Sequence, residues 1–80
     1  MTRETDDGLL HTLKQLRLRL AKERRVMAYL IFSDRSLIDM AARKPKTHDE
    51  FAQIIGVGSA KLKEFAQIFL KAISEFNQAR

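Results

Sequence analysis

The chain has no cysteine, a single proline and no long hydrophobic run, and each shortage removes a class of protein. Without cysteine there is no disulfide framework and no thiolate zinc site, and His11 and His48 stand too far apart to form a local metal motif. The longest apolar stretch, Val26 to Phe32, is too short to span a bilayer, so no membrane partner is expected. The first residues, MTRETDD, are polar and acidic and do not resemble a secretory leader. A cytoplasmic setting follows as the expectation. Eighty residues hold one hydrophobic core and no second one. With 45% apolar and 31% charged residues, the composition is that of an ordinary globular domain, expected as a monomer.

The charge is concentrated in one segment. Residues 14–25, KQLRLRLAKERR, hold Lys14, Arg17, Arg19, Lys22, Arg24 and Arg25 against Glu23 alone, a surplus equal to the net +5 of the whole chain. A polyanion is the natural partner of such a run, although a basic helix can also serve only as a solvated face.

Helical periodicity accounts for most of the sequence. Asp6 and Asp7 supply a cap and a favourable dipole charge for a first helix over 7–25. Its leucines, Leu9, Leu13, Leu16 and Leu20, fall within a sector of about 60°. Lys14, Lys22 and Arg25 lie roughly opposite that sector. Arg17 and Arg24 sit at its edge, where their stems can cover apolar surface while the guanidinium groups reach water. VMAYLIF, residues 26–32, has no helical period and reads as either a buried strand-like link or a short helical turn, with the neighbouring signals favouring the link. Ser33 and Asp34 open a second long helix over 34–43, with Leu37, Ile38, Met40 and Ala41 toward the core, and Lys44-Pro45 stops it. Thr47 and Glu50 have capping-box spacing ahead of a short helix over 48–54. After Ile55-Gly56-Val57-Gly58, Ser59 is expected to cap a last helix over 60–77, in which Leu62, Phe65, Ala66, Phe69, Ile73 and Phe76 share a face. The expected fold is all-α, a compact bundle of four or five helices over 8–77, with a flexible start at 1–7 and a C-terminal end at 78–80.

Catalytic constellations are missing. Asp34 and Asp39 point to different sides of a helix, Glu50 is explained as a cap, and no serine has a base and an oxyanion hole within view. GVGSAK lacks the spacing of a phosphate-binding Walker loop. Two features suit binding. Gly56 and Gly58 permit a hairpin-like turn between helices that would present the first N–H groups of the last helix, with Lys61 and Lys63 just beyond, to a phosphate. The same glycines equally serve a tight connection. Tyr29 follows the basic helix directly: facing outward it would stack on an unpaired base, and facing inward it would be core.

The Leu-rich basic helix, then YLIFSDRSLIDMA (29–41), then KPKTHDEFAQIIGVGSAKLKEFAQIFLKAI (44–73), resembles the HRDC domain, the helicase and RNase D C-terminal module. The resemblance covers about residues 8–76, and FSDRSLIDMA is most like the RecQ-type DNA helicases. It departs from many of them at Met27-Ala28, where they carry prolines. The resemblance implies a non-catalytic helical domain without cofactors, ATP and Mg being left to the parent helicase core. It also implies weak contact with single-stranded or branched DNA, or in some members with the helicase core or another protein. The residues expected to contact DNA are Lys14, Arg17, Lys22, Arg25, Tyr29, Gly56, Gly58, Lys61 and Lys63.

Overall fold

The structure, a computed structural model, describes residues 6–79; most of the start expected to be flexible, and Arg80, lie outside these residues. Helix α1 (Asp7–Arg24) opens on Asp6, whose carboxylate accepts from the Leu9 N–H at 3.0 Å. It buries Leu9, Leu13, Leu16, Leu20 and Ala21 and ends on Arg25 in the left-handed conformation, φ 58°. Helix α5 (Ser59–Gln78) runs antiparallel to it. Arg24 at the end of α1 pairs with Glu64 near the start of α5 at 2.7 Å, and Gly8 at the other end leaves room for the Phe76 ring.

Three sequence expectations need correction. Residues Ala28–Ile31 form a single helical turn, α2, not a strand-like link. No strand among the described residues offers an extended segment a ladder, whereas a turn satisfies the Met27 carbonyl through the Leu30 N–H at 3.0 Å. It also turns Ile31 and Phe32 inward while Tyr29 and Leu30 face out. Met27 is extended, with φ −67° and ψ 144°, so it takes up without a proline the backbone that a proline next to it would impose. In helix α3 (Asp34–Arg43), capped by the Ser33 hydroxyl, Leu37, Met40 and Ala41 are buried but Ile38 is 43% exposed. The inward positions are taken instead by the polar pair Ser36 and Asp39. Finally, α5 is capped by Gly58, which has no side chain to offer its N–H groups, and Ser59 is already the first helical residue.

Short helix α4 (His48–Ala52) starts on Thr47, whose hydroxyl accepts from the Glu50 N–H at 3.1 Å. Glu50 reaches back to the Lys46 N–H at 2.7 Å, one residue before the usual partner in a capping box. Phe51 and Ile54 seat this segment on the core. At the centre of that core Phe32 meets Phe51, Phe65 and Phe69 edge to face, at 6.1, 5.6 and 5.0 Å between centroids. Such contacts add about 0.5–1.5 kcal/mol each to plain burial.

Two polar fastenings position the segments between the long helices. Arg17, its side chain only 13% exposed, sends Nη1 to the Phe32 carbonyl at 3.1 Å and to the Asp34 carboxylate at 2.7 Å, so α1 grips the joint between α2 and α3. Its Nε is buried without an acceptor, leaving Nη1 to hold both partners. The second fastening holds the backbone of Ile55 from both sides. Ser36 Oγ donates to its carbonyl at 2.6 Å and Asp39 Oδ2 accepts from its N–H at 2.9 Å, while Asp39 Oδ1 takes Arg43 Nε at 2.9 Å. Gly56 follows with φ 84°, and a Cβ there would stand 2.5 Å from Ser36 Oγ.

Two stability tests follow from these fastenings. Gly56→Ala is expected to destabilise by about 2 kcal/mol, combining left-handed strain with the clash. In a Ser36→Ala background the clash is gone, and the cost should fall to about 1 kcal/mol. Denaturant melts of the four proteins of this cycle read the difference, and equal costs in both backgrounds would contradict the geometry. The second test uses pH. The hydrogen bond and charge of Arg17, helped by Lys14, hold the Asp34 carboxyl below its ordinary value of 3.8. A carboxylate depressed on folding stabilises above its unfolded pKa, and that contribution is lost as pH falls through the folded one. Melting temperature should therefore decline as pH drops below about 4, and Asp34→Asn should flatten that decline.

Candidate nucleic-acid interface

The cations of residues 14–25 divide according to what they touch. Arg17 is largely committed within the fold: Nη1 holds the Phe32 carbonyl and the Asp34 carboxylate, and the side chain is mostly covered. Arg24 is likewise committed, paired with Glu64 and lying 4.8 Å from the Phe65 ring centroid. Lys14, Lys22 and Arg25 are exposed on the outward face of α1, as the periodicity implied. Lys14 stands apart from the other two, 11 residues and so about 16 Å along the helix from Arg25.

Tyr29 faces outward and is 63% exposed. The neighbouring Ile31 and Phe32, at 2% and 0%, take the inward positions of that turn. Around the tyrosine, Val26, Met27 and Leu30 are exposed as well, and none of these three was among the residues anticipated for the site. The signal for them lay in the missing period of VMAYLIF: seven apolar residues in one short turn cannot all face one core.

The glycine turn also divides. Gly56 is required by its positive φ and by the approach of Ser36, so it has a role in the fold while remaining exposed. Gly58 meets nothing that a Cβ would touch, and its carbonyl takes the Leu62 N–H at 2.9 Å, the first bond of α5. The N–H groups of 59–61 thus lie in the first turn, where a helix has no internal acceptors and its dipole is positive. Lys61 is half-buried with Nζ 5.3 Å from the Phe32 ring centroid, which ties the start of α5 to the segment just after α2. Lys63 lies on another side. It lines an open groove of about 660 Å³ between α1 and α5, with Arg19, Glu64, Ile68 and Lys71.

Lys22, Arg25, Tyr29, Gly58 and Lys61 therefore gather at one end of the bundle, where α1 finishes, α2 turns and α5 begins. Lys14 extends that end along α1. This arrangement suits an anionic polymer with apolar faces: cations and helix-terminal N–H groups for phosphates, and an outward ring for a base. Among the described residues no cluster of histidine, aspartate and glutamate has the makings of a metal site, and no helix is long and apolar enough to cross a membrane.

Comparison with known proteins agrees with this architecture. The family model of the HRDC domain matches residues 6–73. The chain is 37% identical over 70 residues to the ATP-dependent DNA helicase RecQ of Pasteurella multocida, covering 88% of this chain and 11% of that protein. It is 36% identical over 70 residues to the ATP-dependent DNA helicase UvrD2 of Mycobacterium tuberculosis, covering 88% and 10% respectively. It thus spans about a tenth of the length of these relatives. Among solved structures, HRDC domain 3 of D. radiodurans RecQ superposes with a TM-score of 0.82 at 32% identity, over 85% of this chain and 90% of that one. With its five helices, its fastened glycine turn and a match over residues 6–73, the chain belongs to the HRDC domain family, the non-catalytic, cofactor-free accessory domain of RecQ-family helicases.

Proposed function

We propose that this chain is the accessory DNA-contact module of a RecQ-like ATP-dependent DNA helicase, making weak, largely sequence-independent contact with single-stranded or branched DNA in the cytosol or nucleoid. The observation that carries the reading is the outward Tyr29, 63% exposed, directly after the exposed cations Lys22 and Arg25. Phosphates meet Lys22, Arg25 and the start of α5 with Gly58 and Lys61, and Lys14 and Lys63 extend the positive field beyond that end. Tyr29 stacks on a base. Stacking and phosphate contact read no sequence, because every base has a π face and every nucleotide a phosphate. Unwinding, ATP and Mg belong to the parent core, and this domain tunes how that core holds DNA.

Docking on the helicase core or another protein is the competing reading. It is favoured by an apolar patch free of cations, whereas the exposed apolar residues here adjoin Lys22 and Arg25.

Titration of a labelled single-stranded oligonucleotide at two salt concentrations tests the proposal. Affinity should fall steeply with salt, with a logarithmic slope of about −0.7 per phosphate contacted. Tyr29→Ala should cost about 1–3 kcal/mol of binding. Lys14→Glu and Arg25→Glu should weaken binding and flatten the slope. No binding by the parent domain at low salt, or binding indifferent to both charge reversals, would sink the reading.

A further inference from the structure

Five of the seven large apolar side chains exposed among the described residues, Leu18, Val26, Met27, Tyr29 and Leu30, belong to one end of the bundle. The Val26 N–H bonds the Ala21 carbonyl at 3.0 Å and Arg17 holds the Phe32 carbonyl at 3.1 Å, so α2 runs beside the 17–21 turn of α1. Leu18 is the exposed apolar residue of that turn. A small soluble domain seldom gathers its exposed apolar side chains in this way without a ligand for them.

A single unpaired base would occupy Tyr29 and leave the rest unused. Leu18, Val26, Met27 and Leu30 have no π face. They can cover a flat apolar surface, as the side chains wedged against base steps do. A terminal base pair presents such a surface, twice as wide as one base and edged by phosphates. The cations match that outline, because Lys14, Leu18 and Lys22 follow one another at i, i+4 spacing on the outward face of α1, with Arg25 at its end. The apolar tip is also fixed in advance. Ile31 and Phe32 are buried beneath it and Arg17 holds its far side, so little ordering is left to be done on binding.

We propose that α2 and its flanks cap the exposed end of a base-paired segment where duplex gives way to single strand. Tyr29, Leu30 and Met27 lie on the last base pair, and Lys22 and Arg25 hold the phosphates of the departing strand. This rests on the DNA-binding reading above and adds which DNA structure is preferred.

The test compares three labelled oligonucleotides at low salt: a hairpin with a single-stranded tail, the tail alone, and the same duplex closed by loops at both ends. The tailed hairpin should bind about fivefold tighter than either of the others, the gain expected from covering one to two apolar side chains. Met27→Ser and Leu30→Ser should abolish that preference while leaving affinity for the tail alone within about twofold and the melting temperature unchanged. 2-Aminopurine placed at the junction should change its fluorescence on binding, and the same probe in mid-tail should not. Equal affinity for the tailed and closed duplexes, or serine variants that keep the preference, overturns the proposal. Serine variants that leave all three affinities unchanged assign the patch to a protein partner and overturn it too. Failure of the unaltered domain to bind any of the three is a separate result that removes the DNA reading itself.

Discussion

The fold between its two long helices depends on how the backbone of Ile55 is held. Ser36 supplies a donor to its carbonyl and Asp39 an acceptor to its N–H, so two side chains of α3 do for one residue of a loop what a neighbouring strand would do in a sheet. Both bonds are part-buried, and each contributes a modest net gain of about 0.5–1.5 kcal/mol. Their position matters more than their number. They fix the turn that sets where α5 begins, and α5 in turn carries Phe65 and Phe69 into the aromatic core and Lys61 over Phe32.

This arrangement gives a physical meaning to a segment that carries the family resemblance, FSDRSLIDMA. Ser33 caps α3, Asp34 receives Arg17, and Ser36 and Asp39 hold Ile55, while Phe32, Leu37, Met40 and Ala41 are core. Every one of these residues serves the architecture. In this chain the segment therefore serves folding, and the surface proposed to meet DNA is built from the residues around it. Two family members can share the motif and differ in what they bind, because the exposed residues of α1 and α2 do not enter the clamp.

The basic segment illustrates how far charge alone can be read. Six cations lie within residues 14–25, and the helical period separates them into an outward group and a group at the edge of the leucine stripe. The outward group, with Lys14, Lys22 and Arg25, is as exposed as that period requires. The edge group reaches carbonyl, carboxylate and ring partners that come from 15 to 41 residues away along the chain: Phe32 and Asp34 for Arg17, Glu64 and Phe65 for Arg24. No local pattern announces such partners. The same holds for VMAYLIF, whose lack of period said that its apolar residues could not all be buried together but not which of them would emerge.

What the sequence determined by itself was everything governed by neighbours within one helical turn: the helical class, the limits of α1 and α3, the caps at Asp6, Ser33 and Thr47, the leucine face of α1 and the phenylalanine face of α5. These depend on backbone geometry and on contacts of i+3 or i+4, which a linear pattern records directly. Only the tertiary structure decided that Arg17 and Gly56 are held by contacts within the fold, that Ile38 gives way to Ser36 and Asp39, and that Tyr29 stands outside with Met27 and Leu30 beside it. The reason is the same in each case. A side chain's exposure and pairing are set by whichever distant element arrives against it, and that element is chosen by the packing of the whole core.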